Sequence, residues 1–97
     1  MNEIKGQLTE LFNRIPRRHT ADNVKELYSI LDAYEDLLQQ MEAEDEKAIA
    51  PFFEVLEPIR ATLKASNSPK ESKKGKDVLF DEASGALKDT MEELMQL

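Results

Sequence analysis

Residues 66–76 read SNSPKESKKGK. Pro69, Gly75 and the Ser and Asn around them argue against helix and strand. Four lysines, Lys70, Lys73, Lys74 and Lys76, sit here between acidic flanks. On this reading the stretch divides the chain into a helical body over residues 1–65, a flexible Lys-rich linker over 66–76, and a C-terminal amphipathic helix over 77–97. The expected fold is all-α, a small four-helix bundle of one domain, with a three-helix body and a tethered fourth helix. A linker of that length spans at most about 36–40 Å. The last helix is therefore free to pack back on the body, to exchange with a second copy, or to dock on a partner.

The body reads as three helices. Ile4, Leu8, Leu11, Phe12 and Ile15 recur at helical spacing and predict a helix from residue 2 to about 15. Pro16 ends it, because proline disfavours helical geometry in the residue before it. After the connector Pro16-Arg17-Arg18-His19, Thr20 is an N-cap for a second helix reaching residues 41–44, with Asp22 in its first turn. Val24, Leu27, Leu31, Tyr34, Leu38 and Met41 form an unbroken a/d heptad there, widened by Ile30 and Leu37. So broad a stripe fits a central bundle helix. An unbroken heptad also serves as a dimer seam, which makes a homodimer a further expectation.

Asp45 falls where the next apolar residue should be, so a turn is placed over residues 42–46. A third helix follows from Glu46 to about Ala65, with Ile49, Phe52, Phe53, Leu56, Ile59 and Leu63 inward. Pro51 and Pro58 lie seven residues apart on the face opposite that stripe. There a helix curved around a core tolerates lost hydrogen bonds best. The alternative is a new helix starting at Pro51. In the last helix, Phe80, Ala83, Leu87, Met91, Leu94 and Met95 share one face.

The chain has 97 residues and a formal charge of −7, with no cysteine. Disulfides, thiol catalysis and cysteine-based zinc sites are thereby excluded, and an unstapled small domain fits a reducing, cytoplasmic setting. The N-terminal stretch lacks the apolar core of a secretory signal, and no run is long enough for a membrane span. Charge is laid down in blocks. Residues 32–59 carry nine acidic groups against one basic, residues 60–76 carry six basic against one acidic, and residues 77–97 carry six acidic against one basic. Direct nucleic-acid binding needs a dominant positive field, so this balance points instead to a protein partner, a basic one in particular.

Glu42 with Asp45, and Glu54 with Glu57, have the i, i+3 spacing that puts two carboxylates on one helix face. This is similar to the carboxylate pairs with which all-α nucleotide pyrophosphatases hold magnesium, a hard cation that takes several oxygen ligands. In a chain with 20 acidic residues such pairs also arise as a solvated face. Arg17, Arg18 and His19 precede a helix N-terminus and could hold an anion or meet a partner; as a bland alternative they form a solvated turn. A single histidine makes no transition-metal site, and neither a Gly-rich phosphate loop nor a Ser-His-Asp arrangement can be argued. Tyr28 and Tyr34 are expected at the core edge with their hydroxyls in water.

The expected function is that of a non-enzymatic interaction protein, an adaptor, inhibitor or regulator, without a cofactor or metal. Its contact residues would be Arg17, Arg18 and His19, together with Phe80, Leu87, Met91 and Met95 on the last helix. An alternative is an acidic nucleic-acid mimic presenting Asp32, Glu35, Asp36, Glu42, Glu44, Asp45, Glu46, Glu54 and Glu57 to a DNA-binding protein. A further alternative is a magnesium-dependent nucleotide hydrolase.

Overall fold

The computed structural model describes residues 2–97, with side chains from Glu3 onward; Met1, and with it the first residue assigned to the body, lies outside. Among the described residues there are four helices and no strand: α1 (Asn2–Arg14), α2 (Ala21–Glu42), α3 (Glu46–Ser66) and α4 (Lys73–Met95). None is long and apolar enough to cross a membrane. The connectors are short, so each helix runs back along the one before it. α3 packs against α2 and, most extensively, against α4, and α1 closes the ring by touching both α2 and α4. The resulting rod measures 43 × 22 × 18 Å.

Local chemistry explains the boundaries. Thr20, Asp45 and Ser72 each stand just before a helix, and each side chain accepts a hydrogen bond from the backbone N–H three residues on, at 3.0 to 3.2 Å. Each thereby satisfies one of the donors that a helix start leaves orphaned. Both Pro51 and Pro58 lie inside α3 and are exposed. Since Asp45 caps that helix at its true start, no new helix begins at Pro51.

As its broad stripe predicts, α2 packs against two neighbours, α1 and α3. Val24, Leu27, Ile30, Leu31, Tyr34, Leu37 and Leu38 are all buried. α4 supplies Phe80, Ala83, Leu87, Met91 and Leu94 to the same core. A run of small residues, Ala83, Ser84, Gly85 and Ala86, lies in the middle of α4; Ala83 and Ser84 are buried, and Gly85 and Ala86 are partly exposed.

Two expectations are corrected. Residues 66–76 do not form a free tether. Ser66 ends α3, and Lys73, Lys74, Gly75 and Lys76 are the first turn of α4, so the helix starts four residues before residue 77. Only residues 67–72 connect them, and these are tied by turn hydrogen bonds, Asn67 N–H to Lys64 C=O, Ser68 N–H to Ala65 C=O and Glu71 N–H to Ser68 C=O, each 3.1 Å. Lysines are good helix formers, and the Ser72 cap offsets the cost of Gly75. Tyr34 is the other correction. It is wholly buried rather than at the core edge, and its hydroxyl lies 3.4 Å from Thr90 Oγ1. Burial pushes its phenol up to about 12, the hydrogen bond to Thr90 offsets part of this, and the nearby charge of Glu93 adds to it.

Candidate interaction surfaces

The up-down arrangement places the 15–20 and 67–72 connectors at one end of the rod. The α2–α3 turn, the start of α1 and the end of α4 lie at the other. Each end carries an open cleft, and the two differ in character.

The first cleft gathers Arg17, Arg18, His19 and Thr20 with Lys73, Asp77 and Asp81 of α4, around a space of about 440 Å³. Here the structure unites the predicted Arg17-Arg18-His19 group with residues more than fifty positions away. The Arg18 carbonyl accepts a hydrogen bond from Asn23 Nδ2 at 2.8 Å, which pins the connector to the first turn of α2. His19 is half-buried with its ring edge-on to Phe80, centroids 5.8 Å apart. Its Nε2 is buried and has no hydrogen-bond partner among the described residues. His19 thus helps to seat α4, a packing role its place in a polar connector did not suggest. The lysines of this end open α4 without a single acid in its first turn. That places positive charge at the positive end of the helix dipole, which is unfavourable for the helix.

The second cleft, of about 460 Å³, has an apolar floor. Ile4 and Leu8 of α1, Met41 of α2, Ala48 and Ile49 of α3, and Leu94 of α4 line it. Lys5, Glu44 and Asp45 stand at its rim, beside a turn that holds four acids within residues 42–46. The last turn of α4 carries Glu92 and Glu93 and no base, again the reverse of what the helix dipole favours. Sequence reasoning did not find this groove, because its wall is drawn from all four helices. The one local sign is Ala48, a small residue where the apolar stripe of α3 begins.

The predicted acidic residues divide by environment. Arg60 of α3 bridges Asp32 at 3.1 Å and Glu35 at 3.0 Å on α2, so those two share one compensating charge. Burial works to lower the Arg60 guanidinium, but the two carboxylates outweigh it and hold it above its ordinary value. Asp45 is occupied as a cap. Asp36, Glu44, Glu46, Glu54 and Glu57 are exposed and Glu42 half-exposed, and none of the six has an ion-pair partner among the described residues. The pairs Glu42–Asp45 and Glu54–Glu57 do not converge with a third ligand. No group of three His, Cys, Asp or Glu side chains among the described residues is placed to hold a metal ion.

The predicted contact face of α4 is corrected by its burial. Phe80, Leu87 and Met91 are wholly enclosed by the protein's own helices, and Met95 is half-buried against them. None of the first three can meet a partner while the bundle is closed. The buried hydroxyls of Ser66 and Ser84 donate to the carbonyls of Leu63 and Phe80 on their own helices, at 2.6 and 2.9 Å. Neither is presented to a base as a nucleophile would be.

No family model, curated protein or solved structure matches this chain.

Proposed function

We propose that this protein is a non-enzymatic binding module whose acidic side engages a basic protein partner. The observation that carries the reading is the set of six carboxylates without an ion-pair partner among the described residues, the half-exposed Glu42 and exposed Asp36 of α2, Glu44 in the turn, and Glu46, Glu54 and Glu57 on the exposed surface of α3. Acids in a fold's own service are paired or used as caps, as Asp32, Glu35 and Asp45 are. The six unpaired here are part of the net charge of −7 and of its self-repulsion, and they become favourable when a positive surface meets them. The end of α4 points the same way, since Glu92 and Glu93 stand where the helix alone would favour lysine.

The test compares the native chain with a variant in which Glu42, Glu44, Glu46, Glu54 and Glu57 are all Gln. Both are used to capture partners at low and at moderate ionic strength, with cross-links mapped by mass spectrometry. The reading expects a basic protein that is retained by the native chain, weakened by salt, cross-linked near α2 and α3, and lost with the variant. If the recovered protein binds DNA and is displaced by DNA, the module acts as a mimic of nucleic acid. Equal capture by the two chains would overturn the reading. So would magnesium-dependent nucleotide turnover by the purified chain with no partner recovered.

A further inference from the structure

We propose that the groove at the acidic end receives a large apolar side chain from a Lys/Arg-rich segment of another protein. This rests on the reading above and specifies it, making the acidic surface the source of charge recognition and the groove the source of sequence selectivity.

The groove is where the bundle leaves its core open. Leu8, Ile49 and Leu94 are buried at its base, yet Ile4, Met41 and Ala48 around them remain partly exposed. Ala48 is the smallest side chain of its lining. It stands on the inner side of α3, one turn before Phe52, and a longer side chain there would project into the cleft. At about 460 Å³ the space falls in the range of roughly 300–1,000 Å³ typical of sites that enclose a ligand group. The side chains of its floor are apolar, so what it selects is an apolar shape.

The rim selects the surroundings of that shape. Glu44, Asp45 and Lys5 line the opening, and Glu42 and Glu46 flank the two acids in sequence, at the end of α2 and the start of α3. An acidic segment is repelled here, and a neutral one gains nothing from the rim. A segment with an apolar anchor between basic residues satisfies floor and rim together. Met41 adds an unbranched, polarizable wall that adapts to different anchors.

The test uses the full chain and three synthetic twelve-residue peptides: one with a leucine pair among lysines, one with serines in place of the leucines, and one with the leucines kept and the lysines replaced by glutamines. Affinities are measured by calorimetry at two salt concentrations, with backbone amide shifts recorded for the first peptide. The first peptide is expected to bind about ten-fold or more tightly than the second, the order of selectivity that burying a leucine side chain supplies. It is also expected to bind more tightly than the third at low salt, with shifts centred on residues 4–8, 41–49 and 94. Ala48→Leu, which fills the groove, is expected to abolish the preference for leucine over serine while leaving the salt-dependent binding. The pair Glu44→Gln and Asp45→Ser, which keeps the helix cap, is expected to weaken both lysine peptides several-fold without changing their ratio. Circular dichroism and thermal melts establish that each variant is folded.

Equal binding of the leucine and serine peptides, or an Ala48→Leu variant that still prefers leucine, overturns the groove assignment and leaves the acidic-surface reading standing. Tightest binding by the glutamine peptide shows a neutral apolar site and overturns the proposed occupant. Absence of binding by either lysine peptide at low salt overturns both readings.

Discussion

Tyr34 offers the sharpest test of how this bundle is assembled. Its ring is wholly enclosed between α2 and α4, and its phenol is pushed from 10.0 up to about 12. The neutral form is therefore the one the fold accepts. An unfolded chain releases the proton at pH near 10, and the folded one holds it to about 12. The contribution is thus fully present below pH 10 and is lost as pH rises through 12. Two pH units of difference correspond to about 3 kcal/mol. That is a large part of the roughly 5–15 kcal/mol by which domains are stable.

The perturbation is Tyr34→Phe, measured by urea unfolding between pH 8 and pH 12 beside the native chain. At pH 8 the variant should be less stable by about 1 kcal/mol, because Thr90 Oγ1 loses its buried hydroxyl neighbour. Lysines also titrate in this range, but they do so in both proteins and cancel in the comparison. The native chain should then lose about 2 kcal/mol more than the variant by pH 12, so that the two stability curves cross near pH ~11. A direct readout is phenolate absorbance in a Tyr28→Phe background, where the remaining phenol should ionise near 12 when folded and near 10 in denaturant. Parallel stability curves, or a folded midpoint near 10, would show that Tyr34 is solvated and that α4 does not cover it.

Four further outcomes follow from the packing. Leu87→Ala should destabilise the protein by about 2–5 kcal/mol in denaturant unfolding, since a fully buried leucine leaves a cavity; a cost below about 0.5 kcal/mol, typical of a surface site, would mean that α4 is undocked. Asp45→Ala should cost about 1 kcal/mol through loss of the bond to the Ala48 N–H, whereas Asp45→Ser should be nearly neutral. Gly85→Ala should raise stability by about 0.5–1 kcal/mol, because it lies inside α4 and an added Cβ meets nothing within 4 Å. Lys73→Glu with Lys74→Glu should raise the thermal midpoint, each change improving the fit to the helix dipole by about 0.3–1 kcal/mol at low salt; a lowered midpoint would contradict the dipole argument.

The parts of this fold legible in the sequence are those decided within one or two helical turns. The α2 stripe, the Thr20 cap and the outward face shared by Pro51 and Pro58 depend only on residues a few positions apart. The start of α4 was equally local but hidden. Ser72 is a good N-cap, yet Gly75 and three lysines behind it mimic a linker, and no acid marks the first turn. The depth of Tyr34 was not legible, because tyrosine suits both a core and its edge, and what decides between them is Thr90, fifty-six positions away. The candidate surfaces depend wholly on such distances. Arg17 and Arg18 meet Lys73 only because two connectors share an end, and the apolar groove exists only where four helix ends fail to close.

That topology also gives the charge blocks their meaning. Along the chain, acidic and basic segments alternate, which reads as a negative protein with a positive linker. Folded, Arg17 and Arg18 of the first connector and the lysines that open α4 gather at one end of a 43 Å rod, and the acids of the α2–α3 turn and of α4's last turn gather at the other. Helix stability does not account for the arrangement at α4, because both of its ends carry the sign that its dipole disfavours. Surface ion pairs do not account for it either, since the six free carboxylates have no partner and exposed pairs contribute little in any case. What such a distribution does produce is a field with a direction. A basic partner approaching a uniformly negative rod meets the same attraction everywhere, whereas one approaching a polar rod is turned toward the acidic end before contact. The groove lies at that end. Orientation by long-range charge and selection by short-range apolar fit then act in sequence on the same segment. The first step weakens with salt and the second does not, and this is why the two can be separated by measuring affinity at two ionic strengths.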